Sequence, residues 1–169
     1  TTGYATVDYN QWSYLAQTVL VVLMFIGGCM GSTGSSIKVG RILVLLKQAK
    51  LELVRCFHPH AVFRLKIDGK SIGQNSVINT LQFFFLFLAI AALGTIIMTF
   101  WGFDLVTSFT AIVSCLGNIG PGLALVGPIE NFGFLPDLTK YFLSFLMLLG
   151  RLEIYTVLVL FLPSFWRKG

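Results

Sequence analysis

A run of 25 residues without any charged side chain, Val77 to Trp101, is the feature that most limits what this chain can form. As a helix rising about 1.5 Å per residue, the run is longer than the ~30 Å hydrocarbon core of a bilayer. Over the whole chain 56% of the residues are hydrophobic and 11% are charged, against roughly 45–50% and 25% in soluble domains. This composition argues against a soluble enzyme and predicts an all-α membrane protein.

Two other apolar stretches predict two more membrane spans. Tyr14 to Met30, continued by Ile42 to Leu46, is interpreted as one span broken by a flexible loop. Leu138 to Trp166 contains only three charged residues and predicts the last span. Between the second and third spans, Leu105 to Leu116 has about 12 residues, which is too short to cross a bilayer and predicts a re-entrant helix.

Basic residues are concentrated in one segment between apolar runs. The chain has 12 Lys and Arg against 7 Asp and Glu, and eight of the basic residues lie between Lys38 and Lys70. This distribution is typical of a cytoplasmic loop under the positive-inside rule, so we expect no nucleic-acid partner. The same rule places Arg167-Lys168 and the C-terminus in the cytoplasm, and residues 1–12 and 102–137 outside.

Residues 62–72, within the basic segment, alternate in polarity around Asp68-Gly69. Alternation on both sides of an Asp-Gly pair predicts a small cytoplasmic β-hairpin with a type I′ turn. His58 and His60 lie just before it, and two histidines make an incomplete metal shell, so we expect a solvated loop there and no metal site.

Two glycine-containing stretches are candidates for binding a dehydrated cation. Thr1-Thr2-Gly3-Tyr4 lies outside, before the first span, and has the Thr-x-Gly-Tyr pattern of potassium-channel filters. Gly117-Asn118-Ile119-Gly120-Pro121-Gly122 follows the short re-entrant helix directly. In either stretch, consecutive carbonyl oxygens can replace the hydration shell of an ion, because glycine leaves the backbone unobstructed. For the second stretch, an ordinary Gly-Pro turn is the alternative.

The loop that interrupts the first span, Gly27 to Ser36, contains four Gly and four Ser or Thr. Such a backbone moves at low cost and can bind water or its own hydroxyl groups. The Gly-x-x-x-x-Gly-Lys-Ser/Thr pattern of phosphate-binding loops is absent from it. A simple helix kink is the alternative interpretation, because Gly and Ser pairs commonly cause kinks.

Arg151 lies near the middle of the last span, where a cation is costly and usually faces a cavity or a partner. Glu153 is two residues away and therefore points to a different side of a continuous helix. We expect Arg151 to find another partner, and Glu153 to brace a neighbouring helix.

The order of these elements resembles the Trk/Ktr family of potassium transporters, and specifically its TrkH-type membrane subunit. The resemblance is carried by residues 27–38, by residues 117–123 and by Gly150-Arg151-Leu152-Glu153-Ile154, and it covers essentially the whole chain. It implies membrane-pore-membrane repeats of a potassium-channel-like transporter, with four repeats around one pore. Residues 1–56 then hold the filter strand and broken inner helix of the third repeat, residues 57–76 a hairpin linker, and residues 77–169 the fourth repeat.

The resemblance also implies site residues. The matched filter residues, whose carbonyl oxygens would bind potassium, are Thr1, Thr2, Gly3 and Tyr4 of the third strand and Asn118, Ile119 and Gly120 of the fourth. The matched gate residues are Gly27, Gly28, Gly31, Ser32, Thr33, Gly34 and Arg151. In the family the arginine faces the pore and contacts the loop, which makes Ser32, Thr33 and the loop carbonyls its expected partners here.

The function implied is potassium uptake across the bacterial inner membrane by a multi-pass protein with its N-terminal end outside. The resemblance implies that the protein binds potassium ions. It implies neither an enzymatic activity nor an organic cofactor. Its implied partners are membrane lipid, a second copy in a homodimer and a TrkA-like cytosolic nucleotide-binding regulatory subunit.

Two other functions remain open from the residues alone. Broken helices also occur in secondary transporters of other ions or solutes. Gly-rich segments also allow close helix packing in a non-conducting scaffold subunit, although a scaffold does not need a re-entrant half-helix.

Overall fold

The computed structural model describes residues 3–29, 31–32, 34–57, 66–67, 70–161 and 166, with only the backbone given for 66–67 and 70–71. Its helices are α1 (Tyr14–Phe25), α2 (Val39–Phe57), α3 (Gln74–Phe100), α4 (Leu105–Gly117), α5 (Asp137–Arg151) and α6 (Tyr155–Leu160). Three short 3-10 turns lie at Tyr9–Gln11, Ala124–Val126 and Phe132–Phe134.

Helix α3 corresponds to the uncharged run that was predicted to span the membrane. It has 27 residues and is, among the described residues, the one helix long and apolar enough to cross a bilayer by length and composition. The shorter apolar helices are α1 and α4. The predicted break of the first span is also present, because α1 ends at Phe25 and α2 begins at Val39.

Helix α4, the predicted re-entrant helix, is the centre of the core. It packs against α3 on one side and α5 on the other, and almost every residue from Thr107 to Gly117 is buried. The carboxylate of Asp104 caps the start of the helix by accepting a hydrogen bond from the Thr107 backbone N–H at 3.0 Å. Asn118 ends it in the left-handed conformation, with φ of 50°.

Close packing around α4 depends on small residues of its neighbours. A Cβ added to Gly94 of α3 would lie 3.1 Å from the side chain of Ile112. A Cβ added to Gly150 of α5 would overlap the carbonyl oxygen of Leu116. The backbone of α5 therefore crosses the end of α4 at a distance that only glycine permits.

The last predicted span is not one continuous helix in the structure. Residues 138–166 were expected to form one helix, but α5 ends at Arg151 and α6 begins at Tyr155. Glu153, between them, has φ of 54°, which interrupts the helical hydrogen bonds. At this break the Glu153 carboxylate forms ion pairs with residues that are distant in sequence, described below.

The predicted hairpin coincides with a short antiparallel pair, β1 (Lys66–Ile67) and β2 (Lys70–Ser71), in which Lys66 lies opposite Ser71. Asp68 and Gly69 fall outside the described residues, and so do residues 58–65. The turn type, the cytoplasmic position and the solvated loop around the two histidines therefore stay predictions.

Candidate functional site

The two glycine-containing stretches, 117 residues apart in sequence, meet in the structure. Gly3 has φ of 82° and Gly120 has φ of 116°, a region that side chains rarely adopt. A Cβ on Gly3 would lie 3.1 Å from the Ile119 carbonyl oxygen, and a Cβ on Gly120 would lie 3.1 Å from the Gly3 Cα. The two backbones therefore touch at the two predicted filter glycines. Tyr4 is exposed beside them, while Thr1 and Thr2 lie outside the described residues.

Two hydroxyl groups of α4 support the second stretch. The Ser114 hydroxyl lies 2.7 Å from the Gly120 carbonyl oxygen and 3.1 Å from that of Pro121, and it can donate to either. One turn earlier, the Thr110 hydroxyl oxygen accepts the Leu123 N–H at 3.1 Å. Because a carbonyl oxygen has two lone pairs, that of Gly120 keeps one for an ion.

Sequence reasoning missed both of these residues. Ser114 and Thr110 are four positions apart and share a face of α4, which is the signal that could have identified them. Pro121 has no N–H that could donate a hydrogen bond to support the turn. The hydrogen bond from Ser114 to the carbonyl oxygen of Gly120 or Pro121 supports it instead.

Asn10 forms a second connection between the two stretches, beyond the two glycines. The sequence contains no local signal for this role, and it was not predicted. The Asn10 side-chain oxygen accepts the Ala124 N–H at 3.1 Å, and its amide donates to the Ala124 carbonyl at 3.2 Å. This pair of bonds ties the segment after Gly3 to the segment after Gly120.

The glycine-rich loop, defined as residues Gly27 to Ser36, is closed at its base. The Gly27 N–H donates to the Ile37 carbonyl at 2.9 Å, and the Val39 N–H donates to the Gly28 carbonyl at 3.1 Å. A Cβ on Gly27 would lie 2.9 Å from the Ser36 carbonyl oxygen, so the two arms of the loop are in contact. Gly31, further along the loop, has no atom within 4 Å of where its Cβ would be.

The base of the loop lies against the end of α4. Ser36 is 2% exposed, and its hydroxyl lies 3.0 Å from the Met24 carbonyl oxygen and 3.4 Å from that of Gly117. The Asn118 amide donates to the Ser35 hydroxyl at 3.1 Å and to the Met147 carbonyl at 2.9 Å. The loop, the second glycine stretch and α5 are therefore joined at one point.

A cavity of about 470 Å³ extends from the paired glycines to the base of the loop. Gly3 and Ile119 line one part of it, and Met24 and Ser36 line another. The structure thus brings Gly3, Tyr4 and Ile119 of the predicted filter and Ser36, at the base of the loop, to the walls of one space. Gly120 and the predicted gate glycines are not among the described residues that line it.

Glu153 pairs with two basic residues at the start of α2. Its carboxylate lies 2.8 Å from the Lys38 ammonium and 3.1 Å from the Arg41 guanidinium. The Arg41 guanidinium also lies 4.0 Å above the Phe83 ring of α3, which is a cation–π contact. The expectation that Glu153 braces a neighbouring helix is confirmed, and its partners are the residues that follow the glycine-rich loop.

Arg151 ends α5, and its side chain is exposed in this chain. It lies one helical turn after Met147, whose carbonyl binds the Asn118 amide. The expected contact of Arg151 with Ser32 or Thr33 stays a prediction, and Thr33 falls outside the described residues.

Comparison with known proteins identifies the family. Residues 1–168 match the TrkH family, described as a cation transport protein. The Trk system potassium uptake proteins TrkH of Halomonas elongata and Escherichia coli are 39% and 37% identical over 99% of this chain and 34% of their own length. The crystal structure of the potassium transporter TrkH from Vibrio parahaemolyticus superimposes with a TM-score of 0.88, at 38% identity, over 98% of this chain and 36% of that one. This chain spans about a third of the length of these relatives, and it belongs to the TrkH family of cation transport proteins.

Proposed function

We propose that these residues form part of a larger transporter that takes up potassium across the bacterial inner membrane through a pore lined by carbonyl oxygens. The observation that carries the proposal is the contact between Gly3 and Gly120, both at positive φ, at one end of the cavity that reaches the glycine-rich loop. The relatives named as potassium uptake proteins support potassium as the ion.

The paired glycine stretches act as two strands of the selectivity filter in this proposal. Their carbonyl oxygens replace the water around a potassium ion, and the missing glycine side chains let two strands approach without a collision. The third-repeat strand is Thr1 to Tyr4, and the fourth-repeat strand is Asn118 to Gly120. The remaining strands come from the part of the transporter beyond these residues.

The glycine-rich loop and Arg151 form the gate below the filter. The loop base borders the same cavity as the filter strands, so movement of the loop would open or close the path of the ion. The positive charge of Arg151, on α5, raises the energy of a cation nearby and thereby limits flow while the gate is closed.

The partners follow from the same proposal. The transporter is a homodimer surrounded by lipid, and a cytosolic nucleotide-binding subunit contacts the basic segment between α2 and α3. The N-terminal end of this segment of the chain lies outside, and its C-terminal end lies in the cytoplasm.

The test is rubidium and sodium uptake by potassium-starved cells that carry the complete transporter chain, comparing the native sequence with Gly120→Ser. The new Cβ would press on Gly3 and a positive φ would be strained, so we expect the preference for rubidium over sodium to fall by about tenfold or more.

Gly102→Ser is the matched control. Gly102 also has a positive φ, 94°, but nothing lies within 4 Å of its Cβ position, so it reports backbone strain alone. Rubidium uptake without preference in the native transporter, or a preference equally lost in both variants, would contradict the proposed filter.

A further inference from the structure

One side chain joins the three parts of the proposed pathway. Asn118 begins the fourth filter strand, and its amide group has two protons. One is donated to the Ser35 hydroxyl at the base of the glycine-rich loop, at 3.1 Å, and the other to the Met147 carbonyl of α5, at 2.9 Å. Both donors are therefore used on other elements rather than within α4.

The position suits this role for physical reasons. Asn118 has φ of 50°, and asparagine tolerates that left-handed conformation better than most residues. Ser35 is 7% exposed, so its hydroxyl cannot exchange the bond for one to bulk water. Loss of the bond would leave a buried polar group without this partner, which favours keeping the loop and the strand together.

We propose that Asn118 is a positioning residue that couples the glycine-rich loop to the filter, so that the position of the loop sets the ion selectivity. The inference rests on the proposed function. When the loop moves, Ser35 releases or pulls the side-chain amide of Asn118. Because Asn118 immediately precedes Ile119 and Gly120, the carbonyl oxygens of that strand then shift. Because coupling is reciprocal, an ion that orders the strand also favours the loop position in which the bond is made.

The experiment measures the ratio of rubidium to sodium uptake by the complete transporter, with the amount of protein in the membrane determined in parallel. Ser35→Ala removes the hydroxyl acceptor and keeps the Cβ. Asn118→Gly removes the amide and accommodates the positive φ. The double variant completes a mutant cycle. Ser144→Ala is the control, because that exposed hydroxyl donates only to the Lys140 carbonyl within α5.

We expect Ser35→Ala to lower the rubidium-to-sodium ratio by about 2- to 10-fold, the factor that corresponds to one neutral hydrogen bond. Asn118→Gly lowers it at least as much, and the double variant no more than Asn118→Gly alone. Ser144→Ala keeps the native ratio, and Ser35→Thr, which retains a hydroxyl, recovers part of it.

Three results overturn the coupling: a native ratio in Ser35→Ala, equal loss of uptake for both ions, or additive effects in the double variant. If Gly120→Ser lowers the ratio and Ser35→Ala does not, the filter stands and only the coupling fails. If the native transporter shows no preference at all, the proposed function fails and the coupling fails with it.

Discussion

The two helix breaks in this chain are held by different forces. The first, residues 26–38, contains four glycines and is closed by backbone hydrogen bonds between its own ends. The second, residues 152–154, contains no glycine and includes Glu153 at φ of 54°. Its carboxylate binds Lys38 and Arg41, which lie at the end of the first break and the start of α2. One break therefore follows from local composition, and the other is joined by ion pairs to residues more than 100 positions away.

The largest loss of stability is expected from a substitution just before the second break, where α5 crosses the end of α4. Gly150→Ala places a Cβ on the carbonyl oxygen of Leu116, and backbone cannot move aside as a side chain can. We expect a loss of about 3 kcal/mol or more in the free energy of unfolding, or failure to accumulate in the membrane. Thermal unfolding of the detergent-solubilised transporter measures it.

Gly73→Ala is the control for that substitution, because its Cβ position is open. Native-like unfolding of Gly150→Ala would mean that α5 does not cross the end of α4 as closely as the structure has it.

The sequence predicted the features that depend on local properties better than those that depend on distant contacts, and the two breaks show this difference. Charge-free length and glycine content are local properties, and they predicted α3, the short buried α4 and the interruption after Phe25. The family motifs led to Gly3 and Gly120, which the structure brings into contact. The prediction of a continuous helix over residues 138–166 was wrong. Gly150 and Pro163 are local signals against it that were not used, and the partners of Glu153 lie more than 100 positions away.

The supports of the candidate filter were missed for a related reason. Ser114 and Asn10 are polar residues that any loop or helix can carry, and their roles follow from contacts across 6 and 114 positions. Asn118 was identified for its backbone, whereas its side chain makes the longer-range connections to Ser35 and Met147. The spacing of Ser114 and Thr110 on one face of α4 was a detectable signal, whereas the contact of Asn10 with Ala124, 114 positions apart, leaves no period or composition to detect.

A second prediction tests the local character of the first break. Gly27→Ala brings a Cβ to 2.9 Å from the Ser36 carbonyl oxygen, so the two arms of the loop must separate. We expect a loss of about 1–3 kcal/mol in the free energy of unfolding and a higher exchange rate of the Val39 amide. Gly31→Ala, in the same loop but with open space, should stay within about 0.5 kcal/mol of native. Equal effects of the two would show that the base is not tightly closed.

The third prediction tests the long-range character of the second break. Glu153→Gln removes the charge but keeps the shape, so both ion pairs are lost. The Glu153 side chain is 48% exposed in this chain, which keeps the expected loss of stability to about 1 kcal/mol. Because exposed ion pairs are screened, the difference from native should shrink as salt rises from about 0.01 M to 1 M. A difference that does not change with salt would contradict an electrostatic origin of the break.

The smallest effect concerns α4, whose end supports both breaks. Hydrogen bonds from Thr107 hold the pKa of Asp104 below its ordinary value of 3.8, and Asp104 lies outside the spans. A lowered pKa stabilises the folded state fully above the ordinary value, and this contribution is lost as the pH falls through the lowered one. Asn also caps helices well but lacks the charge that favours a helix N-terminus, so Asp104→Asn should cost only a few tenths of a kcal/mol at pH 7. That difference should shrink as the pH of the unfolding measurement falls below the ordinary value of 3.8 and on through the lowered pKa of Asp104. The effects of Gly150→Ala and Gly27→Ala, which are steric, should persist there. A cost of Asp104→Asn that stays constant with pH would mean that the hydrogen-bond geometry of the cap, rather than its charge, supports α4.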